Sequence, residues 1–223
     1  MKLKVCGMKY NPAEVAALNP DYLGFIFWEP SPRHFDGPAP EWEEDGPVRA
    51  GVFVDAQIGE VLEKTRDFSL GMLQLHGSES PEYCRELQSR LRGAGLDAAS
   101  LVKAFAVGPD FDFGKLAAYQ PVCDAFLFDS RGPLPGGNGK VFDWSLLEDY
   151  GLETPFFLSG GIGPESIQAL EHFLSMPVSQ RCIALDINSG FETAPGQKDI
   201  TLITEFMNEA FWQNAKGEKH EKR

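Results

Sequence analysis

The chain has 223 residues, 43% of them hydrophobic, enough to bury one large core in a single domain. Its 33 acidic and 20 basic residues give a net charge of −13, which excludes nucleic acid and anionic membranes as expected partners. The N-terminal apolar stretch is too short for a signal peptide and no run reaches the length of a transmembrane helix, so a cytoplasmic protein is expected.

Eight short apolar runs recur along the chain: LKVCG (3–7), YLGFIFW (22–28), VRAGVFVD (48–55), MLQLHG (72–77), LVKAFAV (101–107), DAFLFD (124–129), PFFLSGG (155–161) and CIALDINSG (182–190). Several are apolar at nearly every position, as parallel strands covered on both faces are. Helical patterns lie between them at 12–19, 58–68, 80–93, 111–119, 144–151 and 163–174, and a last helix is expected over 200–213. The second connection, 29–47, is rich in proline and reads as a long loop. Eight strands alternating with helices at about 28 residues per unit predict an α/β fold, a single-domain (βα)8 TIM barrel with parallel strands. An open doubly wound sheet is the rival, but no G-x-G-x-x-G follows the first strand. The barrel is expected over 1–213 and a solvated tail over 214–223, where no large apolar residue remains.

In such a barrel, chemistry collects at the C-terminal ends of the strands. That rule sorts the four cysteines. Cys84, Cys123 and Cys182 fall in a helix or at strand openings and are expected to be buried packing, whereas Cys6 closes the first strand, where a thiol can meet a ligand or equally be structural packing. Without a C-x-x-C pair, no zinc site or disulfide framework is suggested. The other strand ends carry Arg33, Asp55, His76, Asp129, Asp186 and Asn188. Asp55 precedes a helix and reads as its cap. Asp129 ends an apolar strand and is followed by a non-helical stretch, so a cap is the weaker account; a carboxyl desolvated there suits proton donation. LSGGIG after the seventh strand and NSGFE after the eighth offer backbone N–H groups of Gly160, Gly161, Ser189 and Gly190 to a phosphate, although paired glycines also make ordinary turns. Strand alternation puts Lys4 on the face of Cys6, inside the barrel, where its charge would favour the thiolate and where Asp186 is available as a partner.

The ordered set KVCGMK, YLGFIFWEPSPRHF, LQLHG, FLFDS with GGNGKVFDW, FFLSGGI and DINSGFE…PGQKD resembles the phosphoribosylanthranilate isomerases of tryptophan biosynthesis. The likeness runs from the first strand to the start of the last helix, with Asn138 standing where such chains often carry a small hydroxyl residue. It implies a cofactor-free, metal-free Amadori rearrangement of a small phosphoribosyl substrate, by a monomer or a homodimer. It also implies that Asp129 is the acid and Cys6 the base, that Arg33 holds the anthranilate carboxylate with Arg131 as a rival, and that Asp186 binds sugar hydroxyls. His76 is either a substrate contact or a hydrogen-bonded structural residue. Residues 132–139 suggest a flap beside the acid, or merely a loose connection. Other phosphosugar barrels, such as indoleglycerol-phosphate synthases and pentose-phosphate epimerases, would be expected to show different acid–base or metal groups. A silent phosphosugar-binding module would not need both Cys6 and Asp129.

Overall fold

The computed structural model describes residues 1–41, 46–130, 143–209 and 212. Eight strands form a closed, all-parallel barrel: β1 (Lys2–Cys6), β2 (Tyr22–Ile26), β3 (Val48–Phe53), β4 (Met72–Leu75), β5 (Ser100–Val107), β6 (Ala125–Ser130), β7 (Phe156–Leu158) and β8 (Cys182–Ile187). They pair in sequence order, and β8 returns to β1 with Lys4 opposite Asp186. Around them lie α1 (Pro12–Ala16), α2 (Ile58–Asp67), α3 (Pro81–Gly93), α4 (Ile167–Ser175) and α5 (Ile200–Asn208).

The two faces of each strand go to two different cores. Leu3, Val5, Leu73, Leu75, Phe126, Phe128, Leu185 and Ile187 join the large outer core under the helices. Ala50, Met72, Val102, Ala104, Leu127, Phe157 and Ala184 form a smaller cluster inside the barrel. Because side chains alternate, this leaves Lys4 and Cys6 on β1, Gln74 on β4, Asp129 on β6 and Asp186 on β8 pointing inward. All eight expected strands are present.

Some expectations change. The helices expected over 111–119 and 144–151 are 3-10 turns, Phe113–Ala118 and Trp144–Asp149. Asp112 and Asp143 start them by accepting from Gly114 N and Ser145 N, two residues on, and each turn ends within six residues as the chain heads for the next strand. Asp55 is not the cap of α2. Gln57 occupies that position, while the Asp55 carboxylate accepts from Ser78 N (2.7 Å) and Ser78 Oγ (2.8 Å) and so ties the loop after β3 to the loop after β4. Cys84, Cys123 and Cys182 are buried as expected, Cys123 just ahead of β6. A small antiparallel hairpin, β9 (Glu192–Ala194) with β10 (Gln197–Lys198), follows β8 and was not foreseen. Arg131, the expected flap 132–139 and the expected tail 214–223 fall outside the described residues.

Candidate active site

The C-terminal ends of the strands surround a cavity of about 200 Å³. Cys6, Arg33, His76, Asp129, Gly160, Gly161, Asp186, Asn188 and Ser189, all expected from the sequence, line it together with Gln74, whereas Gly190, also expected, is not among the lining residues. Ile26, Trp28, Pro30 and Pro32 make an apolar wall beside Arg33.

The floor is polar and buried. Lys4 is fully buried and donates to Asp186 Oδ2 at 2.9 Å and to Gln74 Oε1 at 2.7 Å. Burial alone would depress the Lys4 ammonium; Asp186 and Cys6 outweigh it and hold the group above its ordinary value. Burial pushes the Asp186 carboxyl up, with Lys4 opposing. The expected ion pair forms, yet it does not consume Asp186: Oδ1 is buried without a partner among the described residues and is left as an acceptor at the cavity.

The cation does not do what the sequence suggested for the thiol. Cys6 is buried, and desolvation pushes its thiol up; Lys4 and, more distantly, Lys198 pull it down, but less. The ligand-free site therefore rests as the thiol. Across the cavity Asp129, 5% exposed, accepts from Ser130 N at 2.7 Å and lies 3.3 Å from His76 Nε2. The other ring nitrogen, Nδ1, is 2.6 Å from Gln74 Nε2. His76 is thus hydrogen-bonded to Gln74 on one side, faces the Asp129 carboxyl on the other and still lines the cavity.

The two glycine turns meet at the rim. Gly160 has φ of +85°, and a methyl group there would collide with Ser130 N and come within 2.9 Å of Asp129 Oδ1. A Cβ on Gly190 would lie 2.6 Å from Ile162 O. Only glycine lets these backbones approach each other and the acid.

Arg33 is fixed by a residue that the sequence reading missed. Its Nε donates to Glu192 Oε1 (2.9 Å) and its Nη2 to Oε2 (2.7 Å), leaving three of the five guanidinium N–H groups outside this pair. Glu192 also accepts from Lys198 Nζ at 2.7 Å, and Lys198 reaches Asn188 Oδ1 at 2.8 Å. Burial raises the Glu192 carboxyl, but Arg33 and Lys198 prevail and hold it below its ordinary range. One carboxylate is thus shared between Arg33 and Lys198, and burial, opposed by Glu192, holds the Lys198 ammonium below its ordinary value. The only sequence signal was GFE…GQK after β8, which reads there as part of a glycine turn. Among the described residues no group of three or more His, Cys, Asp or Glu is placed to hold a metal, and no helix is long and apolar enough to cross a membrane.

A family model described as N-(5'phosphoribosyl)anthranilate (PRA) isomerase matches residues 3–209. A relative from Parabacteroides distasonis named N-(5'-phosphoribosyl)anthranilate isomerase is 44% identical over 216 residues, covering 94% of this chain and 93% of the other. One of the same name from Phocaeicola vulgatus is 39% identical, covering 94% and 97%. Among solved structures, phosphoribosyl anthranilate isomerase from Thermotoga maritima is 29% identical with a TM-score of 0.76, covering 97% of this chain and 99% of the other. A phosphoribosyl anthranilate isomerase in complex with reduced 1-(o-carboxyphenylamino)-1-deoxyribulose 5-phosphate is 27% identical with a TM-score of 0.73 and the same coverage.

Proposed function

The chain belongs to the N-(5'-phosphoribosyl)anthranilate isomerase family and is an isomerase of tryptophan biosynthesis, and from that premise we propose how its residues divide the work. The reaction converts N-(5-phosphoribosyl)anthranilate into 1-(2-carboxyphenylamino)-1-deoxyribulose 5-phosphate. One observation carries the assignment: Cys6 and Asp129 line one cavity from separate strands, with the glycine turns of β7 and β8 on the same rim.

Asp129 gives a proton to the furanose ring oxygen, and the bond from that oxygen to C1 breaks to leave a protonated Schiff base. With that cation beside it the Cys6 thiol releases its proton to water, and the thiolate takes the proton from C2, forming an enolamine; the thiol is restored from water once the neutral product leaves. As the ketone forms, C1 gains a proton and the C2 hydroxyl loses one, which restores the acid. The order of steps matters for the thiol. Burial holds Cys6 protonated in the ligand-free site, and the cationic Schiff base made by ring opening is the charge that favours its thiolate.

Arg33 takes the anthranilate carboxylate, with the aromatic ring against Ile26, Trp28 and Pro32. Asp186 accepts from a sugar hydroxyl through Oδ1, which has no partner among the described residues, His76 lies beside the acid, and Gly160, Gly161 and Ser189 of the cavity rim, with Gly190 next in the turn, receive the phosphate. All these groups come from one chain, so a monomer or a homodimer serves equally. The cytoplasm suits a small phosphorylated substrate. A crystal structure with the reduced product tests the assignment: Cys6 Sγ and the Asp129 carboxyl are expected on either side of the sugar, with Arg33 at the carboxylate. A sugar seated away from Cys6 would overturn it.

A further inference from the structure

A line of polar side chains crosses the barrel floor from β8 to β6, and hydrogen-bond chemistry gives it a direction. An ammonium has three donors and no acceptor, so the Gln74 atom 2.7 Å from Lys4 Nζ is the amide oxygen. That fixes the amide the other way round at its far end. The NH₂ group then points at His76 Nδ1, 2.6 Å away, and a ring nitrogen facing a donor must accept. A neutral imidazole that accepts at Nδ1 carries its proton on Nε2, and Nε2 is 3.3 Å from Asp129 Oδ2. Each donor therefore points the same way, from Lys4 through Gln74 and His76 to Asp129. Lys4 donates directly to Asp186 and, through Gln74 and His76, aims a donor at Asp129 3.3 Å away. Lys4 and Gln74 are 0% and 1% exposed, so no bulk water competes for these bonds.

We propose that Gln74 is a positioning residue for the acid: it holds His76 as the Nε2–H tautomer, so that the ring donates to Asp129 instead of competing for the proton that Asp129 delivers. With its one lone pair turned to the Gln74 amide, the imidazole has no acceptor to offer the carboxyl. His76 at Oδ2 and Ser130 N at Oδ1 then fix the plane of the Asp129 carboxyl from two sides. This rests on Asp129 being the acid, as assigned above.

The test reads the tautomer directly. In full-length protein with ¹⁵N-labelled histidine, long-range ¹H–¹⁵N correlation at neutral pH should show His76 with an unprotonated Nδ1 and a protonated Nε2, its signals identified by their loss in a His76→Gln variant. Gln74→Glu puts an acceptor where the NH₂ group was, so the ring should gain a proton on Nδ1. With it, kcat should fall by about tenfold or more, while affinity for the reduced product stays within about twofold. An Nδ1–H tautomer or an imidazolium in the parent protein overturns the proposal without any further variant. So does an unchanged tautomer, or an unchanged kcat, in Gln74→Glu. If instead Asp129→Asn keeps parent kcat, the acid assignment fails, and the tautomer measurement tells the two failures apart.

Discussion

Two buried lysine–carboxylate pairs sit on opposite faces of the same sheet. Lys4 on β1 points into the barrel and meets Asp186; Lys103 on β5 points outward and meets Glu79 at 3.2 Å. Around the outer pair the acceptors are shared out. Lys103 also donates to Gly77 O and Ala104 O at 2.9 Å, and Glu79 takes Asp55 N at 2.9 Å and Gly77 N at 3.0 Å. Its other partners are backbone groups of β4 and β5 and of the loops after β3 and β4, so the pair holds those turns against the strands. The inner pair differs in two ways. Its neighbours are side chains, Gln74 and Cys6, and one carboxylate oxygen is left without a partner beside the cavity. A buried acceptor left unmet costs free energy, and a hydrogen-bond donor brought to it would remove that cost. Equal burial thus hides different work: the outer lysine shapes loops, and the inner one sets charge and direction at a reaction site.

The largest effects expected lie above the inner pair. Cys6→Ser and Asp129→Asn should each lower kcat by roughly 10²- to 10⁴-fold with the fold intact, checked by turnover alongside circular dichroism. For Asp129→Asn, a substrate analogue already in the open form should recover part of the loss. Near-parent turnover in either variant would remove that residue from the chemistry and blur the contrast between the pairs.

The outer pair should answer in stability instead. Lys103→Met leaves Glu79 buried and uncompensated, at a cost of about 3–5 kcal/mol in urea unfolding, while affinity for the reduced product changes little. A variant as stable as the parent but weak for ligand would make the outer pair part of the site.

Arg33→Met should weaken the natural substrate by roughly 1.5–3 kcal/mol, and a ligand without the anthranilate carboxylate by almost nothing. Binding of both ligands to both proteins closes a double-mutant cycle, and equal losses would mean general damage to the site.

The smallest effect concerns acid. Burial raises the Glu192 carboxyl, but Arg33 and Lys198 win and its folded value lies below the ordinary 4.5. A depressed carboxyl stabilises the fold above its unfolded value, and that contribution is lost as pH falls through the folded one. Urea midpoints should therefore drop more steeply with acid in the parent, from about pH 4.5 downward, than in Glu192→Gln, which has no proton to take up. Parallel pH profiles would show that the rim cluster does not depend on this charge.

Much of this was legible beforehand, for reasons that differ by residue. The strands announced themselves because parallel strands covered on both faces are apolar throughout. Lys4 facing Asp186 followed from alternation and closure of the barrel, both of which are periodic. The 3-10 turns were read as helices because a six-residue apolar pattern fits either geometry. The hairpin β9–β10 has strands of three and two residues, too short for any period to show. With it went Glu192 and Lys198, and Arg33 pairs with Glu192 across 159 positions of chain.

The sequence by itself determined the barrel, the inward face of the first strand and the rim on which the polar groups collect, because those follow from local periodicity and from a closed order of neighbours. Tertiary structure decided the balances. Whether Lys4 or burial governs the Cys6 thiol depends on how much water the packed barrel excludes, and burial prevails. Whether Asp186 keeps an oxygen for a ligand depends on the angle at which Lys4 arrives, and it takes only Oδ2. Distance, direction and desolvation are sums over residues far apart in the chain, so no stretch of sequence carries them.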